Sequence, residues 1–434
     1  MRNKVLISLF LVICAAGSLF SQNVSEKKEI AVFALAYSGW DIPSGVLGAV
    51  DDAVKEVFVN LGRFEVIGMT YRLEEGEVTA FIDKIKSVKE ENLEIPEGVR
   101  LGEETFTESD FNRLTGSFIV VIPTVSFYRV DYDDDDDVYE AEVQASFTFI
   151  NVEEYKTIAQ FSVDAIGSGD SSMEAAKDAV DFIPVQLAYE IKNVDEFQLK
   201  TGLLEIKGRR VLLELGKNMG IKVGDEFSLV NPRVLPTGHI VSEEIGLIEV
   251  TEVLDSVSYG RIVYSNPKPV VGDQLEEIPR FGFETEAYIH AAQTNLGIVL
   301  LPGIRVTATR GLRRLRPVVG FEIPINQNRE IIDFGLPFSA YIGAELNWAF
   351  ARFQLLPSIH FGFSGIIPVW EMDDDDPDWV LSHVGGSAQL GLSYLVTRDV
   401  RLQLDGGAVF YSSVFINSNS YYGPYGGLSI KMKL

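Results

Sequence analysis

The chain has 434 residues, with 37 Lys and Arg against 63 Asp and Glu, for a net charge of −26 at pH 7. That balance excludes electrostatic binding of nucleic acid, because a phosphate backbone would be repelled. A hydrophobic share of 46% excludes a disordered chain, and a single cysteine excludes a disulfide framework.

Arg2 and Lys4 precede an apolar run over residues 5–13, and small residues follow at 15–18. This is the layout of a secretory signal peptide, here residues 1–21. The run is too short to span a bilayer, so cleavage is expected. Ala15 and Gly17 fit as small residues ahead of a cut, and so does Ser21 before Gln22. Cys14 opens a second reading as a lipid-modified first residue, although Ile13 stands where such signals take a small side chain.

Residues 22–200 read as one α/β domain. Ile30-Ala31-Val32-Phe33 is an apolar strand, and Val46, Leu47, Val50, Val54, Val57, Phe58 and Leu61 form one stripe of a helix over 45–61. Arg63-Phe64-Glu65-Val66-Ile67 returns as a strand, followed by strands at 118–125, 143–150 and 161–165, with 126–130 and 139–149 flanking the run of aspartates. Asp133 to Asp137 fall at the tip of a hairpin, as a solvated loop would. Ser171 and Glu174 have the spacing of a capping box, and Pro184 is expected to kink or split the helix they start. The opening strand, the helix after a turn, Gly62-Arg63-Phe64-Glu65-Val66-Ile67 and Leu114-Thr115-Gly116-Ser117-Phe118 together resemble the N-terminal domain of the curli secretion-channel (CsgG-like) family. The resemblance implies a periplasmic domain that mediates oligomerisation.

Residues 201–279 read as a small all-β barrel of short strands at 203–206, 210–215, 226–230, 246–250 and 260–263. Gly220-Ile221-Lys222-Val223-Gly224-Asp225 and Val270-Val271-Gly272-Asp273 are two turns of one type. The unit resembles the C-terminal domain of the flagellar assembly protein T family, which implies a docking or spacer module.

Residues 283–434 alternate apolar and polar side chains down to the last residue, as in Arg401-Leu402-Gln403-Leu404-Asp405 and Leu428-Ser429-Ile430-Lys431-Met432-Lys433-Leu434. About eight strands are expected, near 284–293, 297–309, 316–326, 336–347, 349–363, 380–395, 399–411 and 421–434. Short turns at 311–315, Trp348 and 397–398 alternate with longer loops at 367–379 and 412–420, apart from a tight first hairpin at Asn295. The segment resembles the OmpA-like class of eight-stranded outer-membrane barrels, whose short turns face the periplasm. Parity sends Ile304, Val306, Phe353, Leu355, Leu402, Leu404, Ile430 and Met432 to lipid. It sends Glu286, Arg305, Glu322, Glu345, Arg352, Arg401, Asp405, Lys431 and Lys433 inward, where charges of both signs predict a salt-bridged plug. The barrel carries 11 Lys and Arg against 14 Asp and Glu, which leaves a net of −25 on residues 22–282.

His290, His360 and His383 share the inward parity near the extracellular strand ends, with His360 and His383 as candidate cross-strand neighbours. They would line a wet rim, or bind a metal or act as a base there. Arg310, Arg313, Arg314 and Arg316 cluster on the first periplasmic turn, where inner-leaflet lipid phosphate, peptidoglycan-associated acids or the chain's own acidic body would meet them. Asp373 to Asp376 lack the spacing of a calcium loop. No nucleotide, hydrolase or zinc-protease signature occurs, so no enzyme activity, cofactor or metal is expected.

These readings predict an outer-membrane barrel of a diderm bacterium that anchors an acidic periplasmic arm and docks or scaffolds secretion or motility machinery. The alternatives are an oligomeric outer-membrane channel and a rim enzyme acting on lipid or peptide. Expected partners are outer-membrane lipid and either a periplasmic protein or a second copy of the chain, with no nucleic acid.

Overall fold

A computed structural model describes residues 24–434 except 38–41, 73–76, 92–97, 102–103, 108, 110–113, 115–116, 238–239, 296, 313, 327–335, 368–379 and 415–419. The signal-peptide assignment, Cys14, Arg313 and the aspartates at 373–376 therefore lie outside the described residues, and so do Thr115 and Gly116.

The first unit is a mixed sheet between helices. β1 (Lys28–Ala34) is continued by β2 (Ala36–Tyr37). α1 (Ser44–Asn60) then buries the expected stripe from Val46 to Phe58. β3 (Phe64–Arg72) returns parallel to β1. The sequence reading has no counterpart for α2 (Val78–Glu91), which closes the opposite face by setting Phe81 and Ile85 against Ala31, Phe33, Val120 and Ile122. A two-stranded hairpin, β4 (Gly98–Leu101) and β5 (Glu104–Thr107), follows. β6 (Ile119–Asp133), β7 (Val138–Asn151) and β8 (Lys156–Gly169) form an antiparallel meander, giving the order β3-β1-β6-β7-β8. The aspartates turn the β6–β7 hairpin, where Asp133 Oδ1 accepts from the Asp135 amide at 2.9 Å.

α3 (Ser172–Asn193) starts at the expected cap, the Glu174 amide donating to Ser171 Oγ at 3.3 Å. It runs through Pro184 without a break, against the expected split. Proline in a helix interior costs about 3 kcal/mol. Val180, Ile183, Leu187 and Ile191 lie in one buried stripe on both sides of it, and their packing on the sheet offsets that cost.

The second unit is a closed six-stranded barrel. β9 (Lys200–Lys207), β10 (Arg210–Leu213), β11 (Glu226–Val234), β12 (Ile240–Val253), β13 (Ser258–Ser265) and β14 (Gln274–Ile278) pair in the order β10-β13-β12-β11-β14-β9. β14 completes the closure and was not expected. The two Gly-Asp turns share one geometry: Asp225 accepts from the Lys222 amide and Asp273 from the Val270 amide, each at 2.8 Å. Gly224 and Gly272 sit at φ 91° and 96°, which a side chain would strain.

The first two units are joined by buried charge. Arg63, just ahead of β3, donates to Glu277 of β14 at 2.6 and 3.0 Å, and Lys192 of α3 reaches the same carboxylate at 3.2 Å. All three side chains are at most 3% exposed. Burial pushes the Glu277 carboxyl up, but the Arg63 and Lys192 charges outweigh it and hold it well below the usual range. One carboxylate serves two cations, and burial drives the Lys192 ammonium down. Beside this cluster a Cβ on Gly62 would meet the Gly220 nitrogen at 2.5 Å, so the backbones themselves touch.

The third unit is a barrel of eight staves. β15 (Phe283–Thr294) pairs with β16 (Gly297–Ala308), which pairs with β17 (Leu315–Glu322) and its continuation β18 (Ile325–Asn326). β19 (Leu336–Leu346) and its continuation β20 (Trp348–Phe350) pair with β21 (Phe353–Ile367). β22 (Val380–Leu395), β23 (Val400–Ser413) and β24 (Tyr421–Lys433) follow, and β24 closes on β15. The turn expected at Trp348 falls instead on Ala351 and Arg352. Trp348 still pairs with Leu355, and Ala351 takes φ 56° to close a two-residue hairpin.

Candidate functional site

The period of two that builds the barrel also fills it. Arg305 makes a bidentate pair with Glu286, both bonds 2.6 Å, and donates to Gln389 at 3.1 Å. Lys431 bridges Glu286 and Glu345 at 3.1 Å each. Gln389 and Gln403 donate to Asp405, which His290 also contacts at 3.1 Å. Tyr288 donates to Glu322 at 3.0 Å and meets the Tyr341 hydroxyl at 3.0 Å. These groups are buried, and the space left among Tyr288, Glu322, Tyr341, His360 and Tyr425 is a cavity of about 20 Å³. A cavity of that size holds about one water, so the lumen is a plug and not a conduit.

The end of the barrel that receives Phe283 and Leu434 has an excess of cations. Arg316, Arg401 and Lys433 are buried there beside one barrel carboxylate, Glu284, at 4.0 Å from Arg316 and 3.8 Å from Arg401. The six-stranded unit supplies the missing charge. Its Glu226 pairs with Lys433 and with Arg280 (3.3 Å), and its Glu249 lies 3.9 Å from Arg316 and 2.5 Å from Arg261. Burial raises the Glu249 carboxyl, and the Arg261 and Arg316 charges outweigh it, so it stays ionised at neutral pH. The second unit is therefore a cap seated in the barrel mouth.

The rim of the cap is tied down at several further places. Arg280 bonds Asp399 at 2.6 Å, and Arg398 bonds Glu244 at 3.0 Å. Leu395 is buried with Leu247, Val263 and Ile278. Arg310, from the turn between β16 and β17, bonds Asp225 at 2.6 Å while the Gly311 amide donates to Val223 at 2.7 Å. The arginine turn thus engages the chain's own acidic body through Arg310. Arg316 enters the mouth, and Arg314 stays exposed. A Cβ on Gly224 would meet the Thr309 carbonyl at 2.7 Å, so the Lys-Val-Gly-Asp turn is the knuckle of this joint.

Replacing Glu226 and Glu249 together with glutamine leaves three cations beside one carboxylate. It is expected to weaken docking of the cap by about 3 kcal/mol or more. Limited proteolysis within residues 279–282 should rise sharply, with heat-modifiable migration of the barrel retained.

Outward side chains are apolar, as parity predicted: Ile304 is 62% and Leu404 58% exposed, and Val306, Phe353, Leu402, Ile430 and Met432 are exposed as well. Among the exposed aromatics, Trp348, Phe350, Phe353 and Tyr394 lie near the cap and Phe410 and Tyr422 at the far end, with Phe321 and Phe361 on the wall between them. That is the double girdle of a barrel in a bilayer, a pattern the sequence reading did not single out.

The nine inward residues lie inside except Arg352. It sits in the hairpin turn, outside strand parity, with its guanidinium 3.9 Å over the Tyr264 ring of the cap. His290 and His360 lie at mid-barrel, contrary to the expected rim, because the strands extend several residues beyond them. His360 is paired with Ser387, and His383 with Ser364 and Ser413, so His360 and His383 are not cross-strand neighbours. His383 alone is near the far end, against Tyr421. No group of three or more metal-ligating side chains occurs among the described residues.

An eight-stave barrel with a polar, side-chain-filled interior and an apolar, girdled exterior defines a membrane β-barrel of the outer-membrane type. No helix among the described residues is long and apolar enough to cross a membrane. Among solved structures the chain is similar to the Neisserial surface protein A, at 17% identity over 35% of this chain and 97% of that one (TM-score 0.26). It is similar to the N-terminal β-barrel domain of Pseudomonas aeruginosa OprF at 11% identity, over 35% and 96% (TM-score 0.24). The PelC dodecamer of Paraburkholderia phytofirmans matches at 13% identity, over 38% and 89% (TM-score 0.23). No family model and no curated protein matches the chain.

Proposed function

We propose that the barrel is an outer-membrane anchor for an acidic periplasmic arm, residues 22–279, and that the arm docks or scaffolds envelope machinery of the secretion or motility kind. The observation that supports this reading is the cap. Two carboxylates of the arm neutralise the barrel mouth and the lumen above them is filled, so the barrel is built to hold the arm and not to pass solute. Nearly all of the net charge lies on the arm, which suits a basic protein surface as partner. The resemblances to curli-channel and flagellar assembly domains point to envelope assemblies, and the activity is one of binding and positioning without catalysis. Expression of residues 280–434 behind the native signal should give an inserted barrel that lacks the phenotype of the full chain. An unchanged phenotype would sink the reading.

One observation favours a second reading, an oligomeric channel. β8 is a 14-residue edge strand that among the described residues pairs only with β7, and Ile166 on it is 67% exposed. An edge of that length is a template for strand addition by another copy. With the lumen filled, a pore would have to lie at the centre of such an assembly. Defined single-channel conductance from purified oligomer would support it, and a strictly monomeric, electrically silent protein would end it.

A further inference from the structure

Two hollows meet where the arm joins the barrel. The first is a groove of about 790 Å³ on the outer wall, over the cap-side half of β16, β17, β19 and β21. Small residues Ala308, Pro317 and Ala344 lower its floor between Val319, Ile342 and Phe361, and every side chain that lines it is apolar. Its volume lies in the range of about 300–1,000 Å³ usual for small-molecule sites. The second is a cavity of about 220 Å³ at the junction of all three units. Four cations line it, Lys192, Lys222, Arg280 and Arg310, and no carboxylate does.

The hollows adjoin through two chain segments. Phe281, in the lower cavity, stacks on Phe283, in the groove, at 5.8 Å between centroids. Phe283 is the ladder partner of Ala308 in the groove, and Arg310 follows two residues later in the cavity. Tyr189 of α3 stacks on Phe281 at 3.8 Å and gives the cavity an aromatic wall. Charge in the cavity is not spent equally. Arg310, Lys192 and Arg280 have carboxylate partners behind the wall in Asp225, Glu277 and Glu226. Lys222 is exposed and makes no ion pair among the described residues.

We propose that groove and cavity form one site for an anionic glycerophospholipid of the leaflet on the arm side. An acyl chain lies in the groove, and the phosphate meets the Lys222 ammonium and the open side of Arg310. An apolar trough at bilayer depth that ends on cations and aromatic rings has the polarity sequence of such a lipid read from tail to head. The site rests on the reading that the barrel spans a membrane, and it fixes the height and rotation of the arm against the bilayer surface.

The test is native mass spectrometry of the full chain, delipidated in mild detergent and titrated with phosphatidylglycerol, phosphatidylethanolamine or glycerol 1-phosphate. One phosphatidylglycerol should bind in preference to phosphatidylethanolamine, and glycerol 1-phosphate should not compete. Lys222→Glu, on an exposed turn, should weaken phosphatidylglycerol by about tenfold or more. Ala344→Trp, which fills the groove floor, should weaken both lipids. Equal binding of the two lipids, wild-type affinity in Lys222→Glu, or displacement by glycerol 1-phosphate would each overturn the site. Insertion into vesicles, followed by heat-modifiable migration, is scored separately. Loss of insertion in the wild type would overturn the membrane reading, whereas intact insertion with no lipid preference would overturn the site alone.

Discussion

Glu286→Ala is expected to destabilise the barrel by about 3–5 kcal/mol, the largest effect of any single truncation in the lumen. Glu286 is the shared anion of Arg305 (2.6 Å) and Lys431 (3.1 Å), all three buried under the barrel wall. Removing it leaves a guanidinium without its bidentate partner and an ammonium with Glu345 alone. Neither cation can turn to water, because the surrounding polar side chains fill the bore. Urea unfolding in lipid vesicles would measure the loss directly. A fourfold replacement of Glu286, Arg305, Lys431 and Glu345 by apolar residues of similar volume should lie much nearer the wild type, since removing a buried ionic network together costs far less than breaking it. A Glu286→Ala protein as stable as the wild type would mean that water reaches the bore and that the plug is not dry.

Glu277→Ala is expected to uncouple the first unit from the cap, at a similar cost of about 3–5 kcal/mol. Arg63 and Lys192 both depend on that carboxylate, and both are buried. Thermal unfolding of the full chain, cooperative across the joint in the wild type, should split into two transitions, the first belonging to residues 28–193. The pH dependence follows from the same charges. Because the folded carboxyl is held below its usual value, its contribution is fully present above the ordinary glutamate range. It is lost only as pH falls through the depressed value. The joint should therefore melt at the same temperature at pH 5 as at pH 7. A transition that weakens between those values would show that Glu277 is not ionised against its two partners.

Local periodicity was the legible part of this molecule. Alternation placed Glu286, Arg305, Asp405 and Lys431 inside and Ile304, Leu404 and Ile430 outside, because a strand facing two solvents writes its register in every second residue. The stripe of α1 was equally plain. Val78, Phe81, Ile82 and Ile85 have the same helical spacing, yet α2 went unread. Its other face is rich in charge, and no strong cap residue stands out in the sequence on either side of it. Trp348 looked like a turn although it keeps the outward parity of Leu346. It is a girdle residue that still pairs with Leu355. Pro184 looked like a kink or a break because local chemistry says so, whereas α3 continues through it with buried packing on both sides.

The joints were not legible. Arg63 and Glu277 are separated by 214 positions, and Lys433 and Glu226 by 207. No spacing rule links residues that distant, and each looks like one more surface charge until the units are stacked. The arginines after β16 did stand out as a cluster, with the chain's own acidic body as one of three candidate partners beside lipid phosphate and peptidoglycan-associated acids. Asp225, at the end of the Lys-Val-Gly-Asp turn, is that partner.

The central claim is that a filled barrel holds a rigid arm for another protein to engage. In-cell photo-crosslinking from exposed positions of the arm, such as Ile166 and Phe182, with mass spectrometry of the trapped species tests it most directly. The account predicts one foreign envelope protein captured in stoichiometric amount. Crosslinks confined to other copies of this chain, or none above background, would contradict it.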